Sequence, residues 1–483
     1  MERHMPRTDR REKLVQAEEL ILRGHFKRAA ELIETLPEAD DLRTAAVRAQ
    51  LLIYQGRLDE AAEVLEPFEE AIQDESNLKD VAEFEMAKAE WLYWRGEYEA
   101  AEKHLHNVLG IYRIRRDEFG QARALCLLGR LHRRQGHYEP AKRDLEEALD
   151  IAERQTQVEE RDFLVGTIRF NLGVVYHQLG ELERAESLYK EAMQLLKRTE
   201  NGRYYGFVLN SYGMLLRAKG EYERAARCYQ EAITYFSESA SFDDLAHATN
   251  NLAYVEIQLG HLDKAEELLN ESLELRRRAN DIAGESVTLE LMGILHLKRG
   301  RLDEARRVLQ SAIELAELAK SPPEKAFALI TLGRVLVAQG AIDEARQKLD
   351  QALRLAIQLS SRMLECESCI YLAEIYARKG DGARAYEYLE RAQRLMERES
   401  DAHLRAEMER VERLLEEEKI KTSGGVFMIR SSFLPTWREA HEALGKFLLT
   451  EALNRTGGSQ VKAAKLLGVT KAYITMLRRK YHV

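Results

Sequence analysis

Proline is scarce in this chain, 7 in 483 residues, so long helices can run without a breaker. Cysteine is scarcer still: Cys126, Cys228, Cys366 and Cys369 are too few for a disulfide framework and fit a reducing compartment, so a cytoplasmic protein is expected. No run of about 18 apolar residues occurs, which excludes a helical membrane span and predicts no membrane partner. The opening MERHMPRTDRREK has no apolar core of the kind a secretory signal needs. Enzyme signatures are also missing. There is no GxxxxGK[ST] to cradle a phosphate, no GxSxG and no HExxH, so neither catalysis nor a cofactor is expected. Cys366-x-x-Cys369 has the spacing of half a metal site. It lies in a helical stretch without a second Cys or His pair, so a packing role is expected and no metal.

What the chain has is charge, 32% of residues, and a glycine ladder. Gly24, Gly56, Gly96, Gly136, Gly180, Gly220, Gly260, Gly300, Gly340 and Gly380 are spaced by 40 residues in seven of nine intervals. Five residues after each stands Ala, from Ala29 to Ala385. Two residues after, nine of ten are large and apolar (Phe26, Leu58, Tyr98, Tyr138, Leu182, Tyr222, Leu262, Leu302, Ile342), with Gly382 the exception. Seven residues before, all ten are Gly or Ala, from Ala17 to Ala373. This is the pattern of helical hairpins. Small residues stand where two helices cross closely, the Gly ends the first helix, and the Ala faces its partner. One hairpin cannot bury its apolar face alone, so the units must stack.

The pattern, over about Arg11–Ser400, resembles the tetratricopeptide repeat. The resemblance implies an all-α fold, an α-solenoid (superhelix) of about ten TPR-like hairpins with a small C-terminal helix-turn-helix domain. The usual repeat has about 34 residues. A spacing of 40 predicts longer helices, as in tetratricopeptide proteins that bind peptides or partner proteins. His132, Glu256 and His296 depart from the pattern, because Tyr or Leu is usual there. Residues 1–420 are assigned to the superhelix, 421–436 to a linker containing the apolar Val426–Ile429, and 437–483 to the tip.

The tip reads as a DNA-binding motif. From Arg455 to Val483 there are seven basic residues and no acidic one, although the whole chain carries −9. Ala463, Ala464 and Leu467 share one face of a short helix, Gly468 supplies the turn, Val469 plugs the corner, and Ile474 and Leu477 hold a second helix. Thr470, Lys471, Ala472, Tyr473, Thr475, Met476 and Arg479 are left facing outward, where a recognition helix meets base edges and phosphates. With the preceding Ala452-Leu453, Thr456-Gly457-Gly458-Ser459-Gln460 and Ala463-Ala464, the tip resembles the Fis-type DNA-binding domain. Ser459, Gln460, Arg478 and Lys480 join the expected DNA contacts. One departure stands out: Ile474 and Leu477 are three apart where that family usually has four. The resemblance implies that Trp437, Leu444, Phe447 and Leu448, on the helix before the motif, form a homodimer contact. Packing on the motif itself is an equal alternative.

In tetratricopeptide arrays the first helix of each pair lines the concave side. Counting from the small residue places Arg123, Arg130, Arg133, Arg134, Asn171, His177, Asn210, Arg217, Asn250, Asn251 and Tyr254 there. Asn offers both a donor and an acceptor to an extended peptide backbone. Further on the lining turns apolar at Val287, Leu291, Ile294, Leu297, Phe327, Ile330 and Val337. A partner with an anionic or polar end and an apolar end would match. The bland alternative is that Asn fills, Arg is solvated and the apolar residues are core. Two readings of function follow. In one, the chain is a bacterial DNA-binding transcription regulator whose array binds a peptide or protein. In the other, it is a non-enzymatic scaffold whose C-terminal bundle mediates protein interaction.

Overall fold

The computed structural model describes residues 7–22, 25–36, 41–69, 77–155, 161–198, 201–238, 242–396, 401–421, 437–467, 469 and 471–481. The described residues contain 24 α-helices, one short 3-10 turn and no strand, so the fold is all-α. They separate into two compact units, Met1–Glu412 and Arg413–Val483.

Ten hairpins build the first unit. α1 (Arg7–Leu22) pairs with α2 (Phe26–Glu34), α3 (Leu42–Tyr54) with α4 (Leu58–Leu65), and α5 (Leu78–Arg95) with α6 (Tyr98–Arg115). α7 (Glu118–Arg134) pairs with α8 (Tyr138–Arg154), α9 (Arg161–Gln178) with α10 (Leu182–Leu196), and α11 (Gly202–Ala218) with α12 (Tyr222–Glu238). α13 (Phe242–Leu259) pairs with α14 (Leu262–Arg278), α15 (Ile282–Lys298) with α16 (Leu302–Leu318), α17 (Pro322–Ala338) with α18 (Ile342–Gln358), and α19 (Arg362–Arg378) with α20 (Gly382–Met396). α21 (Ala402–Lys421) follows. From α13 to α19 each helix has 17 or 18 residues, which is how a 40-residue spacing is filled.

The glycine ladder explains itself at each hairpin. Gly340 takes φ +78°, a left-handed conformation that costs Gly nothing. The next amide, Ala341 N–H, then reaches back to Leu336 O at 2.9 Å and satisfies a carbonyl orphaned at the helix end. The partner helix starts on the very next residue, the apolar Ile342. Gly24 lies outside the described residues. The ten Ala residues five after the ladder are fully buried. The return turns between hairpins use the same geometry without glycine: Arg116, Asn280, Lys320 and Ser360 take φ of 51 to 56°. Asp117 and Asp281 then cap the next helix, each accepting from a Gly amide, Gly120 N–H at 2.8 Å and Gly284 N–H at 2.9 Å.

The small residues before the ladder receive a large side chain of the partner helix. A Cβ added at Gly293 would stand 2.5 Å from Leu309 Cγ, and one at Gly173 would stand 2.7 Å from the Tyr189 ring. Gly293→Val is therefore expected to destabilise the array by about 1–3 kcal/mol, as overpacking does. Urea unfolding of the variant would show it as a lower midpoint, and an unchanged midpoint would contradict this packing account. Two of the polar departures from the pattern find partners: His132 Nδ1 lies 2.5 Å from Asp144, and buried Glu256 accepts from His261 and Lys264 at 2.7 Å each. His296 Nδ1 stands 3.5 Å from Glu304 without a hydrogen bond. Cys366 and Cys369 are buried, with Cys366 Sγ 3.6 Å from Ala392 O, in a packing position.

Successive turns of the superhelix touch. Arg203, at the start of α11, donates to Tyr54 O at 2.7 Å, four hairpins earlier, and to Asp244 at 2.9 Å. A Cβ at Gly220 would stand 3.1 Å from Ala402 Cβ, so the start of α21 closes over the turn after α11. No helix among the described residues is long and apolar enough to cross a membrane.

Candidate functional site

The C-terminal unit carries α22 (Trp437–Arg455), α23 (Gln460–Leu467) and α24 (Lys471–Tyr481). Gly457 and Gly458, both left-handed at φ 58° and 82°, end α22, and Gly458 N–H bonds Leu453 O at 2.7 Å. Ser459 opens α23, its carbonyl accepting from Ala463 N–H at 2.9 Å. The three helices share one small core: Leu449, Ala452 and Leu453 meet Ala463, Ala464 and Ile474, with Leu467, Val469 and Leu477 half-buried against them. Val469 N–H closes the corner on Ala464 O at 3.0 Å.

This packing turns one face of α24 outward. Lys471 and Arg479 are exposed, as are Tyr473 and Met476 at 46% and 51%. Arg478, Ser459 and Gln460 are half-buried. The Thr475 hydroxyl sits 3.1 Å from Gln460 Oε1, which ties α24 to the first turn of α23. Lys462 and Lys465 add exposed positive charge on α23. Gly468 and Thr470 lie outside the described residues, as do the side chains of Ala472, Lys480, Trp437 and Leu444. On α22, Phe447 and Leu448 are 41% and 43% exposed, while the neighbouring Leu449 is buried.

The expected concave residues fall into two groups. In the earlier hairpins most are engaged by other residues of the array. Arg123 pairs with Glu83 at 3.1 Å. Arg130 stands 3.7 Å from Glu90 and stacks 4.8 Å over the Tyr93 ring, and Arg134 donates to the Tyr93 hydroxyl at 3.3 Å. Asn171 is turned back on its own helix, donating to Thr167 O at 2.8 Å. Arg133 is half-buried with its Nε unpaired. His177 is pushed down to about 4 by burial and by Arg217, so it is neutral at pH 7.

Arg217, Asn250, Asn251 and Tyr254 instead border a pocket of about 1010 Å³, open solvent included. Asn251 Nδ2 donates to Asn210 Oδ1 at 3.0 Å, linking adjacent hairpins. Arg217 lies 4.9 Å over the Tyr254 ring, and its Nε has no acceptor. Val287, Leu291, Ile294 and Phe327 supply an apolar wall. The pocket also holds Glu290, Arg334, Glu367 and Asp401, which the sequence reading passed over. The signal was present: Glu290 occupies the repeat position of Asn250, Arg334 that of Tyr254, and Glu367 that of Val287 and Phe327. Burial pushes Glu290 up to about 7 against the pull of the Thr331 hydroxyl and Arg334, and pushes Glu367 up to about 7 against Arg334. Among the described residues no cluster of three His, Cys, Asp or Glu fits a metal ion.

A family model described as the MalT-like TPR region matches residues 156–283 and 240–421, more than half of the chain. The chain belongs to the MalT-like TPR family. Tetratricopeptide models match this TPR protein at 42–67 and 80–154 as well. Its residues 444–472 match the model for bacterial regulatory proteins of the Fis family. No curated protein matches the chain. Among solved structures, it resembles a Rap protein complexed with competence and sporulation factor, with 16% identity, a TM-score of 0.56, and coverage of 73% of this chain and 99% of that one. The apo quorum sensor NprR of B. thuringiensis gives 16% and 0.55, covering 73% and 97%, and apo RapI gives 14% and 0.53, covering 73% and 98%. At these identities the likeness is one of fold.

Proposed function

We propose that this chain is a bacterial transcription regulator, working in the cytoplasm, that binds duplex DNA through α24 and senses a peptide or protein in the concave pocket of its repeats. The observation that carries the reading is the exposed Lys471, Tyr473, Met476 and Arg479 face on a Fis-family helix-turn-helix with a core of its own. Phosphate contacts from the basic residues would set register, and side chains on α24 would meet base edges in the major groove. The array supports a sensing role by analogy, since NprR, of similar fold, is a quorum sensor.

A route from pocket to tip exists along the chain. Asp401, His403 and Leu404, at the start of α21, border the pocket, and the helix continues to Lys421. An occupant therefore touches the helix that leads in sequence to the DNA-binding unit. The apolar tether considered for this coupling, Val426–Ile429, lies outside the described residues. Selection by the full chain from a random pool of duplex DNA tests the reading. The expected result is one short motif, repeated in inverted orientation with centres about one helical turn apart. A pool that stays random after repeated rounds would contradict it.

A further inference from the structure

The pocket is not the polar-anionic receptor that its arginines alone imply. Glu290, Glu324, Glu367 and Asp401 face it against Arg217 and Arg334. Arg334 is drawn over the Tyr371 ring at 4.9 Å and forms no ion pair within 4 Å with Glu290 or Glu367. Glu290 has one partner, the Thr331 hydroxyl, and Glu367 has none among the described residues. Asp401 is engaged at the start of α21, accepting from the amides of His403 and Leu404. Glu324 accepts from the Ser321 hydroxyl.

A second observation is independent of this charge. Asn250 borders the same pocket, is only 6% exposed, and its Oδ1 accepts no hydrogen bond. A buried acceptor without a donor is costly and calls for an explanation. The missing partner is an N–H. A backbone amide of an extended peptide supplies one, and an ammonium or guanidinium supplies several. Immediately beside Asn250 and Glu290 the wall is apolar, at Val287, Leu291 and Ile294.

We propose that the pocket takes a peptide by a cationic side chain, Lys or Arg, seated against Glu290 and Glu367. Asn250 holds the peptide backbone, and an apolar neighbouring residue lies on Leu291, Ile294 and Phe327. The inference rests on the peptide-sensing reading above and names the chemistry of its ligand. Arg334 stays on Tyr371 and offsets part of the repulsion between the two carboxylates. Arg217, over the Tyr254 ring, suits the peptide's carboxyl-terminal side.

Burial pushes both carboxyl groups up to about 7 against the pull of Arg334, and for Glu367 the nearby Glu290, Asp401 and Glu407 push in the same direction as burial. They are neutral in acid and charged above that point. A cation binds the charged form, so affinity should rise from pH 6 to pH 8. His403, also at the pocket, has its own pKa lowered by burial and by Arg334.

The experiment uses the immobilised full chain and pools of pentapeptides that are random in Ala, Leu, Phe, Asn and Ser around a fixed central residue. Three acetylated and amidated pools carry Arg, Glu or norleucine at the centre, and a fourth carries norleucine with a free amino terminus. The Arg pool should be retained at least about tenfold better than the acetylated norleucine and Glu pools, and better at pH 8 than at pH 6. Glu290→Gln with Glu367→Gln should remove that preference while leaving the far-UV dichroism unchanged. Preference for the free-amine pool alone would move the cation to a peptide terminus and overturn the side-chain assignment. Equal retention of the Arg and norleucine pools, or preference for Glu, would overturn this inference while leaving a peptide-binding pocket. Retention of no pool would overturn both.

Discussion

Lys471→Glu combined with Arg479→Glu is expected to lower the affinity of the full chain for duplex DNA by roughly 100-fold or more near 0.1 M salt. Both residues are exposed on the outward face of α24 and outside the core that Ile474 anchors, so the tip should stay folded. Each neutralised phosphate releases condensed counterions, and each lost contact should reduce the slope of log affinity against log salt by about 1. The double reversal should therefore flatten that slope by about 2, and the added negative charges should repel the backbone besides. Gel-shift or anisotropy titrations of both proteins would read the difference. Equal affinities would place the DNA contact elsewhere.

The second large effect concerns copy number. One helix-turn-helix contacts only a few base pairs, and paired half-sites are the usual remedy. Phe447 and Leu448 are 41% and 43% exposed beside the core that buries Leu449, Ala452 and Leu453, and with them the α22 face that Fis-type domains use between copies is put to the test. Phe447→Glu with Leu448→Glu is expected to yield a monomer by light scattering. Binding to a site with two half-sites should fall by roughly 100- to 10,000-fold, because the second half-site then no longer binds intramolecularly. Binding to a single half-site should change little. A wild-type chain that is monomeric both free and on DNA would refute the dimer.

Period and small-residue placement made the hairpins legible before any coordinates. Gly at the left-handed turn, Ala on the crossing face and an apolar first residue on the second helix are local requirements, written once per unit. Most return turns were not legible, because Arg116, Lys320 and Ser360 adopt left-handed φ with side chains that carry no such signal, and only Asn280 is of a type that favours it. The tip was readable for the same local reason: Ala463, Ala464, Ile474 and Leu477 meet at the spacing a three-helix core needs. The concave side was readable only in part. Register told which residues face inward, but not that Arg130 would meet Glu90, or that Asn171 would bond Thr167 O. Those outcomes depend on neighbours some four to 40 residues away, and the pocket itself depends on the start of α21 returning to the turn after α11. The acids Glu290 and Glu367 stand at the register of Asn250 and Phe327, but an acidic residue on a helix face is ordinarily solvated, so register alone does not mark it as a buried pocket group.

The central claim is that an acidic repeat protein ends in a DNA-binding tip. It is tested most directly by fluorescence anisotropy of the full chain with labelled duplex DNA, titrated at salt concentrations from about 50 to 300 mM. The account predicts saturable binding whose affinity falls steeply and log-linearly with salt. Binding that ignores salt, or no binding at the lowest salt, would contradict it.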